Sequence, residues 1–91
     1  MAGDDGRRVA NREVPRTAPV RPMGEIPVIA HVVWEDGAEE WRAPRAIRWT
    51  PTHVMVSWRD DPAASATERF EWLRANDVMR SVSWFVPPVK A

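Results

Sequence analysis

A chain of 91 residues with thirteen basic against thirteen acidic side chains and no cysteine is read as one small domain. The missing cysteine excludes disulfides, iron–sulfur clusters and cysteine-ligated zinc, and the even charge weighs against indiscriminate nucleic-acid binding. No apolar run nears the roughly 18 residues of a membrane span and the N-terminus lacks the apolar stretch of a secretory signal, so a cytoplasmic protein without a membrane partner is expected. Twelve of the thirteen basic residues are arginine, with Lys90 the exception. GC-rich coding produces that bias, as in actinobacteria and their phages; for a phage protein the compartment would be the host cytoplasm.

Residues 1–25 hold Pro15, Pro19 and Pro22, three glycines and nine charges, with Val9, Val14, Val20 and Met23 as the sizeable apolar groups. Such a stretch buries too little apolar surface to offset its ordering entropy. A solvated, flexible arm is expected, with an arm that folds onto a partner as the alternative.

A period of two begins at Ile26, the signature of half-buried strands. Ile26, Val28, Ala30, Val32 and Trp34 share one face. Asp36–Gly37 is a hairpin signal, because glycine takes positive φ without steric cost. Trp41, Ala43, Ile47 and Trp49 align next, and Pro44, with no N–H to give the ladder, predicts a bulge, a bend or an edge. After Thr50–Pro51–Thr52 comes "HVMVSW", which sets Val54, Val56 and Trp58 against His53, Met55 and Ser57. Residues 59–67 form a loop, Phe70 and Trp72 mark a fourth strand, and residues 74–78 suit a single helical turn. Val78, Val82, Trp84 and Val86 outline a last strand ended by Pro87–Pro88. The fold class expected is all-β: a five-stranded antiparallel barrel over residues 26–86, with a tail at 87–91.

The succession of strands, tight turns and "EWLRANDVMRSV" resembles a Src-homology-3-like small barrel of the Tudor or KOW kind over residues 26–86. In such folds a Trp–Leu pair, a helical turn and a closing strand follow one another, as Trp72–Leu73, Arg74–Asp77 and Val78–Val82 do here. Pro44 and the Trp84–Phe85–Val86 extension depart from a minimal barrel.

In an antiparallel meander the end of the first strand, the start of the second, the end of the third and the start of the fourth lie together. That end is expected to gather Trp34, Trp41, Trp58 and Phe70 with Glu35, Asp36, Glu39, Glu40, Asp60, Asp61 and Glu68. Ring faces attract cations, and neighbouring carboxylates deepen the attraction. The resemblance implies an aromatic cage for methylated lysine or arginine, with Trp34, Trp41, Trp58 and Phe70 as its candidate residues. The competing account of the rings is core filling, and that of the flanking acids is solubility. The candidate partner site is therefore Trp34, Glu35, Asp36, Glu39, Glu40, Trp41, Trp58, Asp60, Asp61 and Phe70, facing a basic protein segment.

Two further surfaces are candidates. Trp84, Phe85 and Val86 are consecutive, so one large group must leave the barrel face; cover by the arm or by a barrel face competes with a protein contact or homodimer seam. Arg45, Arg48, Arg74 and Arg80, with Trp49 for stacking, would serve nucleic acid together with the arm.

His31 and His53 show no metal-ligand spacing. Ser57, Ser65, Ser81 and Ser83 lie in no nucleophile elbow, and no glycine-rich phosphate loop occurs. Neither catalysis nor a metal or cofactor is expected. The functional expectation is a non-catalytic protein-interaction module, with a nucleic-acid-binding barrel and a phage-particle subunit as alternatives.

Overall fold

The computed structural model describes residues 7–80. The expected last-strand positions Val82, Trp84 and Val86, the Trp84–Phe85–Val86 strip and the 87–91 tail lie outside the described residues. The chain is a small all-β antiparallel domain, with seven short strands among the described residues: β1 Ile26–Pro27, β2 Ile29–Val33, β3 Glu39–Arg42, β4 Arg45–Trp49, β5 His53–Arg59, β6 Glu68–Arg74 and β7 Val78–Met79. Two 3-10 turns, Ser65–Thr67 and Ala75–Asp77, precede β6 and β7; the second is the helical turn expected from the sequence. No helix of the described chain is long and apolar enough to cross a membrane.

The strands form two sheets, ordered β1-β4-β5-β6 and β3-β2-β7, in place of one closed five-stranded meander. Among the described residues no closed barrel forms. The reason lies in a single bent hairpin. Ala30 pairs with Arg42 and His31 with Trp41 in one sheet, while Ile26 pairs with Ala46 and Pro27 with Arg45 in the other. These partners keep one register across the break, and the Val28 N–H donates to the Pro44 carbonyl at 3.1 Å within it. Pro44, which has no N–H to offer a neighbouring strand, stands where the hairpin bends from one sheet to the other. A register shift between Ala46 and Arg48 then re-aims the end of β4.

The turn between β2 and β3 is built as its sequence directs. Gly37 N–H donates to the Trp34 carbonyl at 2.9 Å, Trp34 N–H closes onto the Ala38 carbonyl at 2.8 Å, and Asp36 Oδ1 accepts from Ala38 N–H at 2.9 Å. Gly37 has φ of 94°, the left-handed position that ends a three-residue hairpin.

The core gathers Val28, Ala30, Val32, Trp34, Ala46, Val56, Trp58 and Leu73, with Ile26, Trp49, Val54 and Val78 packed against it. The inward parity read for the first and third strands is the observed one. The core also contains Val9, only 2% exposed, and here the structure departs from a solvated arm. Val9 bridges to Trp34 and Arg12 to Leu73; Ala10 N–H donates to Val33 and Glu13 N–H to the Trp72 carbonyl. Residues 8–13 therefore tie the stretch of β2 beyond its short pairing with β7 to the free side of β6. The Asn11 side chain works as a spare peptide group: its Oδ1 accepts from Val33 N–H at 3.0 Å and its Nδ2 donates to the His31 carbonyl at 2.9 Å. Further on, Pro15 is buried, Arg48 donates to the Pro19 carbonyl and Met23 N–H to that of Ile47. The segment thus runs over the outer face of the four-stranded sheet. Trp72, which alternates with core Leu73, is 7% exposed on that outer side.

Two stability outcomes follow. Val9→Ala should lower the unfolding free energy in urea by roughly 1–3 kcal/mol. Val20→Ala, at a position 84% exposed, should change it by less than about 0.5 kcal/mol; equal effects would contradict the docking of Val9. Gly37→Ala should cost about 1 kcal/mol in the same assay. An added Cβ there meets no atom within 4 Å, so the cost is conformational and Gly37→Asn should recover part of it.

Candidate functional site

Four aromatic side chains were expected at one end of the domain; the structure brings two of them together. Trp34, 2% exposed, and Trp58, 8% exposed, meet edge to face with ring centroids 6.3 Å apart, an arrangement the ring quadrupoles favour. Both indole N–H groups are taken: Trp34 Nε1 donates to Glu40 Oε2 at 2.6 Å and Trp58 Nε1 to Asp60 Oδ1 at 3.0 Å. Trp41 and Phe70 stand apart from this pair, 56% and 54% exposed. Trp41 alternates with Glu40 and Arg42, which point to the interior, and Phe70 alternates with Arg69 and Glu71, which do likewise.

The cation that the ring faces attract is supplied by the chain itself. The Arg7 guanidinium lies 4.1 Å above the Trp34 ring. That of Arg69 is 5.1 Å from Trp34, and that of Arg42 is 5.1 Å from Trp58. Each guanidinium has its own carboxylate. Arg42 bonds Glu40 at 3.1 Å, and Arg69 bridges Asp60 at 3.3 Å and Glu71 at 3.1 Å; Arg7 sits 3.9 Å from Asp36. Arg69 also donates to the Arg7 carbonyl, which fixes the start of the docked segment. Arg7, Trp34, Arg42, Asp60 and Arg69 line a cleft of about 370 Å³. Burial alone would raise the Glu40 carboxyl, but the Trp34 and Arg42 hydrogen bonds, with the charges of Arg42 and Arg7, hold it below the usual carboxylate range.

The remaining acids of the expected site are also at work inside the fold. Asp36 caps the hairpin turn, and Asp61 accepts from the Ala63 N–H in the loop before β6. Glu68 accepts the Ser57 hydroxyl at 2.7 Å, and Glu39 meets His31 Nε2 at 2.8 Å. Glu35 is exposed at the hairpin tip. Sequence reasoning missed Arg7, Arg42, Arg69 and Glu71. A signal was present for three of them: Arg42 pairs with inward Ala30, and Arg69 and Glu71 share the parity of Leu73. Nothing in the composition of residues 1–25 points to Arg7.

His31 joins three segments. Glu39 faces its Nε2, Asp77 Oδ1 lies 3.4 Å from its Nδ1, and the Trp41 ring lies 5.0 Å from its own. Asn11 Nδ2 donates to Asp77 as well. Both imidazole nitrogens face carboxylates, so both are satisfied as donors only in the imidazolium. The Glu39 hydrogen bond raises the His31 pKa most; burial opposes it next, and the Asp77 bond and the two negative charges add smaller upward effects, so the pKa is raised.

Of the four arginines proposed for nucleic acid, three are engaged within the domain. Arg45 bonds Glu25 at 2.9 Å, and Arg48 reaches Pro19. Arg74 pairs with Glu13 at 3.4 Å; that carboxyl is held low first by its His53 hydrogen bond and then by Arg74. Arg80 is exposed, while Trp49 is half-buried, with Gly24 close enough that a Cβ there would touch its ring at 3.4 Å. No group of three or more His, Asp or Glu side chains suited to a metal occurs among the described residues.

Because the His31 pKa is higher in the folded chain than in the unfolded one, its contribution to stability is complete below the ordinary imidazole value of about 6.5. It is lost as pH rises through the raised folded value. Denaturation midpoints measured from pH 5.5 to 9 (about one unit below to 2.5 above that value) should decline across this window, and His31→Gln should flatten the decline. No family model, curated protein or solved structure matches this chain.

Proposed function

We propose that the domain is a non-catalytic protein-interaction module that meets a basic partner through the outer side of the β2–β3 hairpin. The observation that carries this reading is Trp41. It is a large ring, 56% exposed, on a strand of the bent hairpin and held at a defined tilt by His31. An exposed tryptophan is a residue type on which interface energy concentrates. Glu39, bonded to His31 yet exposed, lies two residues along the same strand, and exposed Glu35 sits at the hairpin tip, which favours lysine or arginine opposite. Trp34 and Trp58 have a different part in this reading: they belong to the interior, and their faces already carry arginines.

The path of the chain supports the finer fold assignment as well. Counting β1 with β2 and β3 with β4 leaves five successive antiparallel strands, the last paired to the first through Ile29↔Met79 and Ala30↔Val78 after a 3-10 turn. That order suits a Src-homology-3-like arrangement; the interaction role is argued from the Trp41 surface and not from the fold.

An array of lysine- and arginine-containing peptides, probed with the full chain, tests the assignment. Binding to a subset of peptides is expected to weaken at least about tenfold in Trp41→Ala, a loss in the range of an interface hot spot, and to fall with added salt. Signals no higher than on neutral peptides, or unchanged by Trp41→Ala, would rule the surface out.

A further inference from the structure

Among the described residues β3 is an edge strand: its sheet runs β3-β2-β7. Trp34 N–H bonds the Ala38 carbonyl and Val28 N–H the Pro44 carbonyl, so the even-numbered residues from Ala38 to Pro44 turn their main-chain groups toward β2. By alternation, the N–H and C=O of Glu39, Trp41 and Ala43 point the other way. Among the described residues nothing bonds these groups. An unpaired edge is a template for another strand.

From this we infer that β3 pairs antiparallel with β3 of a second copy of the chain, about a two-fold axis at Trp41. Three registers bring two or more outward-facing residues of each copy opposite one another, and charge separates them. Setting Glu39 opposite Trp41 of the second copy puts Glu40 against Glu40. Setting Trp41 opposite Ala43 puts Arg42 against Arg42. Like charges directly opposite are unfavourable on a sheet. Setting Trp41 opposite Trp41 puts Glu40 against Arg42 of the second copy, and Glu39 against Ala43, on both sides of the axis. This register also forms the longest ladder, with all three outward-facing residues paired. It brings the two exposed Trp41 rings onto one face as a cross-strand aromatic pair. A self-complementary strip of this kind makes a closed two-fold interface, the commonest symmetry of homo-oligomers. Pro44 interrupts the strand after Ala43, so the ladder is short and the association is weak and concentration-dependent.

The inference rests on the hairpin being a protein-contact surface and names one occupant of its edge. Sedimentation equilibrium on the full chain, from roughly 1 µM to 1 mM, is the test. The weight-average mass should rise from 10.4 kDa toward twice that value. Trp41→Lys and Trp41→Glu should each hold the chain at the single-copy mass, because like charges meet at the axis. An equimolar mixture of the two variants should regain the doubled mass. A wild-type mass that stays single throughout, doubling that survives Trp41→Lys, or a mixture that fails to associate would each overturn the pairing. If the wild type stays single while Trp41-dependent binding to basic peptides persists, the pairing fails and the hairpin remains a surface for other proteins. If both fail, the functional reading falls with it.

Discussion

Ile26–Pro27 and Ala30–Val33 hold one antiparallel register against Arg45–Ala46 and Glu39–Arg42, so the two sheets are two halves of a single bent ribbon. Displacing either half by one residue would turn every side chain of the ribbon to the opposite face, expelling Val28, Ala30, Val32 and Trp34 from the core together. The bend at Pro44 folds the ribbon over itself, and its two halves enclose the interior. The rest of the chain completes this enclosure: β5 and β6 widen one half, β7 touches the other, and residues 8–13 lie between β2 and β6.

The balance of charge belongs to the interior as much as to the surface. Arg7, Glu40, Arg42, Asp60, Arg69 and Glu71 form a layer above Trp34 and Trp58 in which ring faces, three guanidinium groups and three carboxylates satisfy one another. Arg69 keeps a carboxylate if either Asp60 or Glu71 is removed, whereas among the described residues Arg42 pairs with Glu40 alone. The neutrality of the whole sequence thus has a local counterpart. The hairpin acids that looked like a field for a distant cation are mostly counter-ions and turn caps.

Much of the architecture was legible. The two-residue rhythm located the strands, Asp36–Gly37 the hairpin, Pro44 the bend, and residues 74–78 the helical turn. Three features were hidden, each for a physical reason. Val9 sits alone among prolines, glycines and charges, and one apolar residue has no period to read. Trp41 and Phe70 were assigned inward because rings are expected inside, whereas in β3 and β6 the inward places belong to charged residues stacked over indoles. Trp72 is buried on the outer side of its sheet, because the N-terminal segment gives that side a cover. Parity tells which residues share a face; it does not tell which face something else will shelter.

The Asn11 carboxamide has a consequence of another sort. It stands in for a peptide group between Val33 N–H and the His31 carbonyl, and its nitrogen also reaches Asp77. Asparagine is among the thermolabile residues, and hydrolysis of its amide would put an oxygen where a donor is required, facing one carbonyl and one carboxylate. The clasp would become a repulsion without any change in the encoded sequence. One clasp of the N-terminal segment would then be lost, while its main-chain bonds to Val33 and Trp72 and the ladders of both sheets would remain.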